Sequence, residues 1–146
     1  MIEPPVISDL VPHAGRMLLL ERLLDSGADY VTCEVLVRAD GMFDRDGRVP
    51  AWLGVEYMAQ TIAAYSGLQA QASGQPLRLG FLLGSRRFET NVQDFTCGEL
   101  LQVRAVRLLA GDSGLGAFEC TLEGETARQR ATLSVYSPAD GMGQME

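Results

Sequence analysis

Few side chains in this protein can move a proton near neutral pH. There is one histidine, His13, and all twelve basic residues are arginine, which excludes Schiff-base chemistry and a lysine general base. Among the carboxylates, Glu56 stands apart because it falls a turn inside a helical segment, on the side that carries Ala59 and Ala63, with apolar neighbours before and after it. A carboxyl in such surroundings needs a partner or a raised pKa, and either condition suits proton transfer. The helix macrodipole also favours a carboxylate near a helix start, so a purely structural role stands beside the chemical one. Cys33, Cys97 and Cys120 are widely spaced, odd in number and outside any Cys-x-x-Cys or Cys/His cluster. They are expected to be small, buried or half-buried residues rather than disulfide or zinc ligands, and neither a metal nor a cofactor is expected.

The element that must carry Glu56 is the one clear long helix, predicted over about residues 51–73. Pro50 suits its first turn, Gly74 with Gln75-Pro76 stops it, and its interior is rich in Ala, Leu, Met and Gln. Trp52, Val55, Ala59, Ile62, Ala63 and Ser66 recur at helical spacing and predict an apolar, small-residue face lying close to a curling sheet. Everything around the helix reads as strand and turn. Residues 1–16 form an irregular arm, 17–24 a strand, and 30–37 its antiparallel partner across the Asp25–Asp29 turn. Residues 40–49 are a loop. After the helix come a long strand over 77–89, bent by Gly80 and Gly84, then strands over 100–109, 116–122 and 128–136 joined by turns at 111–114 and 123–125. The tail, 138–146, is expected to be disordered. The expectation is a single α+β domain over residues 1–137, without the βαβ alternation of a Rossmann fold or α/β barrel.

Composition narrows the class. A net charge of −7 without a basic cluster argues against nucleic acid as a partner. No apolar run approaches the roughly 18 residues of a membrane span, and the N-terminus lacks a signal-peptide pattern, so a cytoplasmic protein is expected.

Two motifs carry a family resemblance. The run from Pro12-His13 through Arg16-Met17-Leu18-Leu19-Leu20-Glu21-Arg22, followed by Val55-Glu56-Tyr57-Met58-Ala59-Gln60, resembles the hotdog-fold 3-hydroxyacyl-[acyl-carrier-protein] dehydratases. The stretch Pro50-Ala51-Trp52-Leu53-Gly54-Val55-Glu56-Tyr57-Met58-Ala59-Gln60 is most similar to the branch serving aryl polyene pathways. The resemblance implies a hotdog fold, in which a curved antiparallel sheet wraps one long central helix and two chains pair with active sites at their interface. It implies loss of water from a 3-hydroxyacyl thioester on an acyl carrier protein, giving a trans-2-enoyl thioester in polyene or fatty-acid-like biosynthesis. One departure matters. The housekeeping enzymes hold their catalytic histidine in a Gly-His-Phe-Pro-Gly loop, and that position here is Met42, beside Phe43.

On this resemblance, His13 takes the missing role and removes the proton alpha to the carbonyl, while a protonated Glu56 donates to the departing hydroxyl. The backbone N–H of Ala51 or Trp52 at the helix start would stabilise charge on the thioester oxygen. Gln60 would orient Glu56, and Phe43 would line the substrate site. The partner implied is an acyl carrier protein bearing a phosphopantetheine-linked substrate. Such carriers are acidic, so Arg86 and Arg87, grouped with Arg78 and Arg16, are the candidates for docking it. A homodimer or a heteromeric hotdog assembly is expected, with the Tyr57, Met58 and Tyr65 side of the helix needing cover. Two alternatives remain: a thioesterase in which Glu56 activates water, and a non-catalytic hotdog subunit paired with an active one.

Overall fold

Strands that alternate small or branched apolar side chains with polar ones build the sheet. On strand β6 (Leu100–Ala110), Leu101, Val103 and Ala105 are buried while Leu100, Gln102 and Arg104 are exposed. The same alternation buries Phe118, Cys120 and Leu122 on β7 (Leu115–Glu123), and Ala131 and Leu133 on β8 (Arg128–Tyr136). The structure is a computed structural model describing residues 5–76, 80–110 and 114–136. With β1 (Arg22–Ser26), β2 (Tyr30–Leu36) and β4 (Phe81–Thr90), these strands form a six-stranded antiparallel sheet in the order β1-β2-β6-β7-β8-β4. A second, two-stranded sheet pairs β3 (Arg48–Pro50) with β5 (Asp94–Thr96) and places Val49 opposite Phe95, both buried.

One helix, α1 (Leu53–Ala72), lies against the sheet, chiefly over β2 and β6 with β7 and β8 beyond. Tyr65 meets Phe118 edge-on at 5.5 Å between ring centroids, and Tyr57 meets Phe95 at 5.9 Å. The long helix and the six-stranded curved sheet follow the expectation, but the helix presents another face to it. Its buried residues are Leu53, Gly54, Tyr57, Met58, Gln60, Thr61, Ile62, Ala64, Tyr65 and Gly67. Of the face expected to be covered, Ile62 alone is buried, and Trp52 is 61% exposed. Tyr57, Met58 and Tyr65, expected to need cover from a second chain, are buried within this one. The glycines decide the orientation. A Cβ at Gly67 would clash with the Leu10 backbone carbonyl, and one at Gly54 with the Gln129 side chain, so these are the points of closest approach.

The segment expected to be a strand over 17–24 splits. Residues Gly15–Met17 form a 3-10 turn, residues 18–21 have no regular secondary structure, and pairing in β1 begins at Arg22. The cause is a side chain: Gln60 accepts from Leu19 N–H and donates to the Met17 carbonyl, taking backbone groups that a strand would give to a ladder. Strands β3 and β5 are three residues each, too short to register as periodicity. The bend expected near Gly84 is present as a register shift between Leu82 and Gly84. A second shift between Arg86 and Glu89 holds Arg87 at φ 57°. Arg78, the strand residues 77–79, the turn residues 111–113 and the tail lie outside the described residues. Among the described residues, no helix is long and apolar enough to cross a membrane.

Candidate active site

The site is assembled by the N-terminal arm closing onto the first turns of α1. Leu10 and Val11 are buried, and Leu10 sits on Gly67, which fixes the arm along the helix. The chain then carries His13 back toward the helix start. There its Nε2 lies 3.8 Å from Glu56 Oε2, too long for a hydrogen bond and short enough for both groups to touch one substrate atom. The His13 side chain is 26% exposed and that of Glu56 40%, so a ligand can reach both.

Gln60 joins the two parts. It is fully buried, and its Nε2 donates to Glu56 Oε2 at 3.0 Å and to the Met17 carbonyl at 2.8 Å. Its Oε1 accepts from Leu19 N–H at 2.9 Å, which fixes the amide orientation. Because both amide protons are committed, Glu56 Oε2 is held as an acceptor and Oε1 is the carboxyl oxygen left free of Gln60. One helical turn separates Glu56 from Gln60, the spacing at which side chains meet.

The helix start is held from the sheet. Ala51 donates its N–H to the Gln93 carbonyl at 3.0 Å, and its own carbonyl accepts from Gln129 Nε2 at 2.9 Å. The Ala51 amide is therefore occupied. Trp52, at the N-cap, directs its amide to no acceptor among the described residues, which leaves it as the available donor of the two named from the sequence. Phe43 is half-buried and lines a void of about 10 Å³ with Leu19, Leu36, Arg38, Asp40, Leu53 and Tyr57, room for about one water.

Other candidate reactive groups are muted by their surroundings. Burial pushes the Cys33 and Cys120 thiols up to about 12, with Glu119 adding to the shift at Cys120. Burial likewise raises the Tyr57 phenol, only partly opposed by Arg38. The three cysteines are free.

Arg86 and Arg87 are exposed on β4, and neither is in an ion pair among the described residues. Arg16 does not stand free with them: its Nη2 donates to the Asp40 carbonyl at 2.8 Å and lies 3.9 Å from Asp40 Oδ1. The residues that sequence reading missed are Gln93 and Gln129. Gln129 occupies the inward position of β8 otherwise held by Ala131 and Leu133, and a lone glutamine on that alternating face was the available signal. No local signal marks Gln93, which acts through its backbone.

A long helix against a curved six-stranded antiparallel sheet defines a hotdog-fold protein. The chain belongs to the ApeP-like dehydratases, whose family model, described as ApeP dehydratase, matches residues 5–146. Among solved structures it is similar to the dehydratase heterocomplex ApeI:P from Xenorhabdus doucetiae. The TM-score is 0.87 at 29% identity, over 98% of each chain. It also shares its fold with an uncharacterized protein from Pyrococcus horikoshii, TM-score 0.65 at 11% identity, over 97% of this chain and 98% of that one. A hypothetical thioesterase with coenzyme A from Streptococcus pneumoniae matches at TM-score 0.58 and 13% identity, over 80% and 86%. No curated protein sequence matches the chain.

Proposed function

We propose that this chain dehydrates 3-hydroxyacyl thioesters carried by an acyl carrier protein, giving trans-2-enoyl thioesters for the synthesis of a polyene or fatty-acid-like product in the cytoplasm. The observation that carries the reading is the approach of His13 to Glu56 at 3.8 Å, in a chain of a dehydratase family. Between them the two groups supply what the elimination needs: removal of the proton at C2 and help to the hydroxyl leaving C3. The free Trp52 amide is the donor for the thioester oxygen, Gln60 orients Glu56, and Phe43 shapes the approach. Arg86 and Arg87 are the cations for the acidic carrier.

The working unit is an assembly, either a homodimer or a pair with a second hotdog chain. Residues 82–87 of edge strand β4 are exposed on both faces, Leu82 and Leu83 among them. Edges of that kind call for a partner. The similarity to a heterocomplex of dehydratases favours a second reading, in which this chain is the supporting member of a pair. Incubating 3-hydroxyacyl carrier protein with the chain alone, and with a catalytic hotdog partner, separates the readings by intact mass. A loss of about 18 Da, one water, from the chain alone supports catalysis. Loss only with the partner, unaffected by Glu56→Gln, makes this chain the supporting subunit, and release of free acid marks a thioesterase.

A further inference from the structure

The geometry points to Glu56 as the group that carries the proton both ways, and to His13 as a neutral hydrogen-bond donor beside it, the reverse of the roles that the family resemblance implies. This rests on the dehydratase reading. The observation behind it is His13 Nδ1, which is sealed from solvent and has no hydrogen-bond partner. A neutral imidazole carries one hydrogen, and which nitrogen holds it follows from what each nitrogen faces. With the hydrogen on Nδ1, a buried N–H would have no acceptor, and the Nε2 lone pair would face a carboxylate oxygen at 3.8 Å, two acceptors opposed. With the hydrogen on Nε2, the N–H is directed to the side of Glu56 and a lone pair alone is sealed. Both ends of the ring favour the second tautomer. Because Nδ1 is closed off within this chain, neither a second subunit nor a substrate can supply the acceptor that would restore the first. A histidine whose Nε2 already bears its hydrogen cannot take the C2 proton there.

Glu56 is placed for that task. Gln60 holds Oε2 with a donated hydrogen bond and leaves Oε1 open. The carboxylate takes the C2 proton, and the electron pair of that bond becomes the second C2–C3 bond by way of the enolate. The C3–O bond breaks, its pair leaves with the oxygen, and that oxygen takes the proton back from Glu56 and departs as water. Glu56 returns to its starting state. His13 keeps its hydrogen throughout and donates a hydrogen bond to the departing oxygen. One group acting on both atoms requires the proton and the hydroxyl to leave from the same face of the substrate.

His13 is the only histidine, so its ring nitrogens can be read without assignment ambiguity once this chain alone is labelled with 15N-histidine, in whatever assembly it purifies. The expected spectrum has Nδ1 as the pyridine-like nitrogen and Nε2 as the one bearing hydrogen. In the dehydration assay, His13→Ala is expected to lower kcat by about a hundredfold, as loss of one stabilising donor does. His13→Gln, which restores a donor near the Nε2 position but no base, is expected to recover at least about tenfold of that loss. Glu56→Gln should be at least as damaging as His13→Ala. A hydrogen on Nδ1, or His13→Gln as slow as His13→Ala, overturns the assignment. A wild-type assembly that eliminates no water overturns the functional reading instead, and the tautomer measurement tells the two failures apart.

Discussion

Replacing Gln60 by methionine keeps the length and apolar stem of the side chain and deletes three hydrogen bonds at once. The magnitude follows from what each lost bond leaves behind. Leu19 is buried, so its N–H becomes an orphaned donor, and the partly buried Met17 carbonyl loses a donor. A buried polar group left without its partner costs about 1–3 kcal/mol, so these two together cost about 2–4 kcal/mol, the carbonyl being the cheaper. Glu56 is exposed enough for water to replace Gln60, and the better burial of a thioether returns about 1 kcal/mol. The net is about 1–3 kcal/mol, which at about 2–4 °C per kcal/mol for a chain of this size lowers Tm by about 2–12 °C. That is less than the usual stability of about 5–15 kcal/mol, so the variant folds at 25 °C. Thermal melting with amide exchange is the assay, since the Leu19 amide should lose protection while amides of β6 to β8 keep theirs. Gln60→Glu is the companion variant, retaining an acceptor for Leu19 while placing a second carboxyl one turn from Glu56. A fall in Tm below about 2 °C for Gln60→Met, with Leu19 still protected, would refute the claim that this side chain holds the arm to the helix.

Gly67→Ala drives a Cβ into the Leu10 carbonyl and should destabilise by about 1–3 kcal/mol through overpacking, read as a lower urea midpoint with an unchanged slope. Cys33 and Cys120 link stability to alkaline pH. Their thiols rise from 9.0 to about 12 on folding, so the folded state keeps protons that the unfolded chain releases. Stability is complete below pH 9 and should fall as pH rises toward 12, while only Cys97 reacts with a thiol reagent in native protein at pH 8. Arg86→Glu with Arg87→Glu should slow turnover of carrier-bound substrate and spare a small pantetheine thioester; equal loss on both would remove the docking role. Arg87→Gly should hold or raise Tm by relieving a left-handed backbone worth about 1–2 kcal/mol, which separates strain from charge at that position.

The helix, the six strands of the main sheet and the pairing of the last three strands were legible because each rests on local pattern: Pro50 and Gly74 at the helix ends, and alternation, imperfect in residues 100–109, along the last strands. The helix face was misread because α1 is apolar nearly all round. What chose its orientation was the absence of side chains at Gly54 and Gly67, together with the bonds made by Gln60. Apolar periodicity says which residues are buried but not where their backbone hydrogen bonds go, and so residues 17–21 read as strand. His13, Glu56 and Gln60 were named from motifs, and the structure brings them together. Gln129 showed itself as a lone polar residue on an inward-facing strand face, but its partner did not, since Ala51 lies 78 residues away and only the folded sheet joins them.

That separation bears on when the site comes into being. The hairpins β6–β7 and β7–β8 close over short loops, whereas the bond from Leu19 to Gln60 spans 41 residues and the bond from Gln129 to Ala51 spans 78. Contacts that close long loops carry a larger entropic cost before they are rewarded, so the arm and the helix start should set after the hairpins. On the ribosome the constraint is sharper: His13, Glu56 and Gln60 are made well before β8, the strand that anchors the helix start. A nascent chain lacking β8 has its reactive groups and no fixed frame for them. Pulse-labelled exchange during refolding should accordingly protect β6 and β7 amides before that of Leu19, and simultaneous protection would show that site and sheet form as one unit.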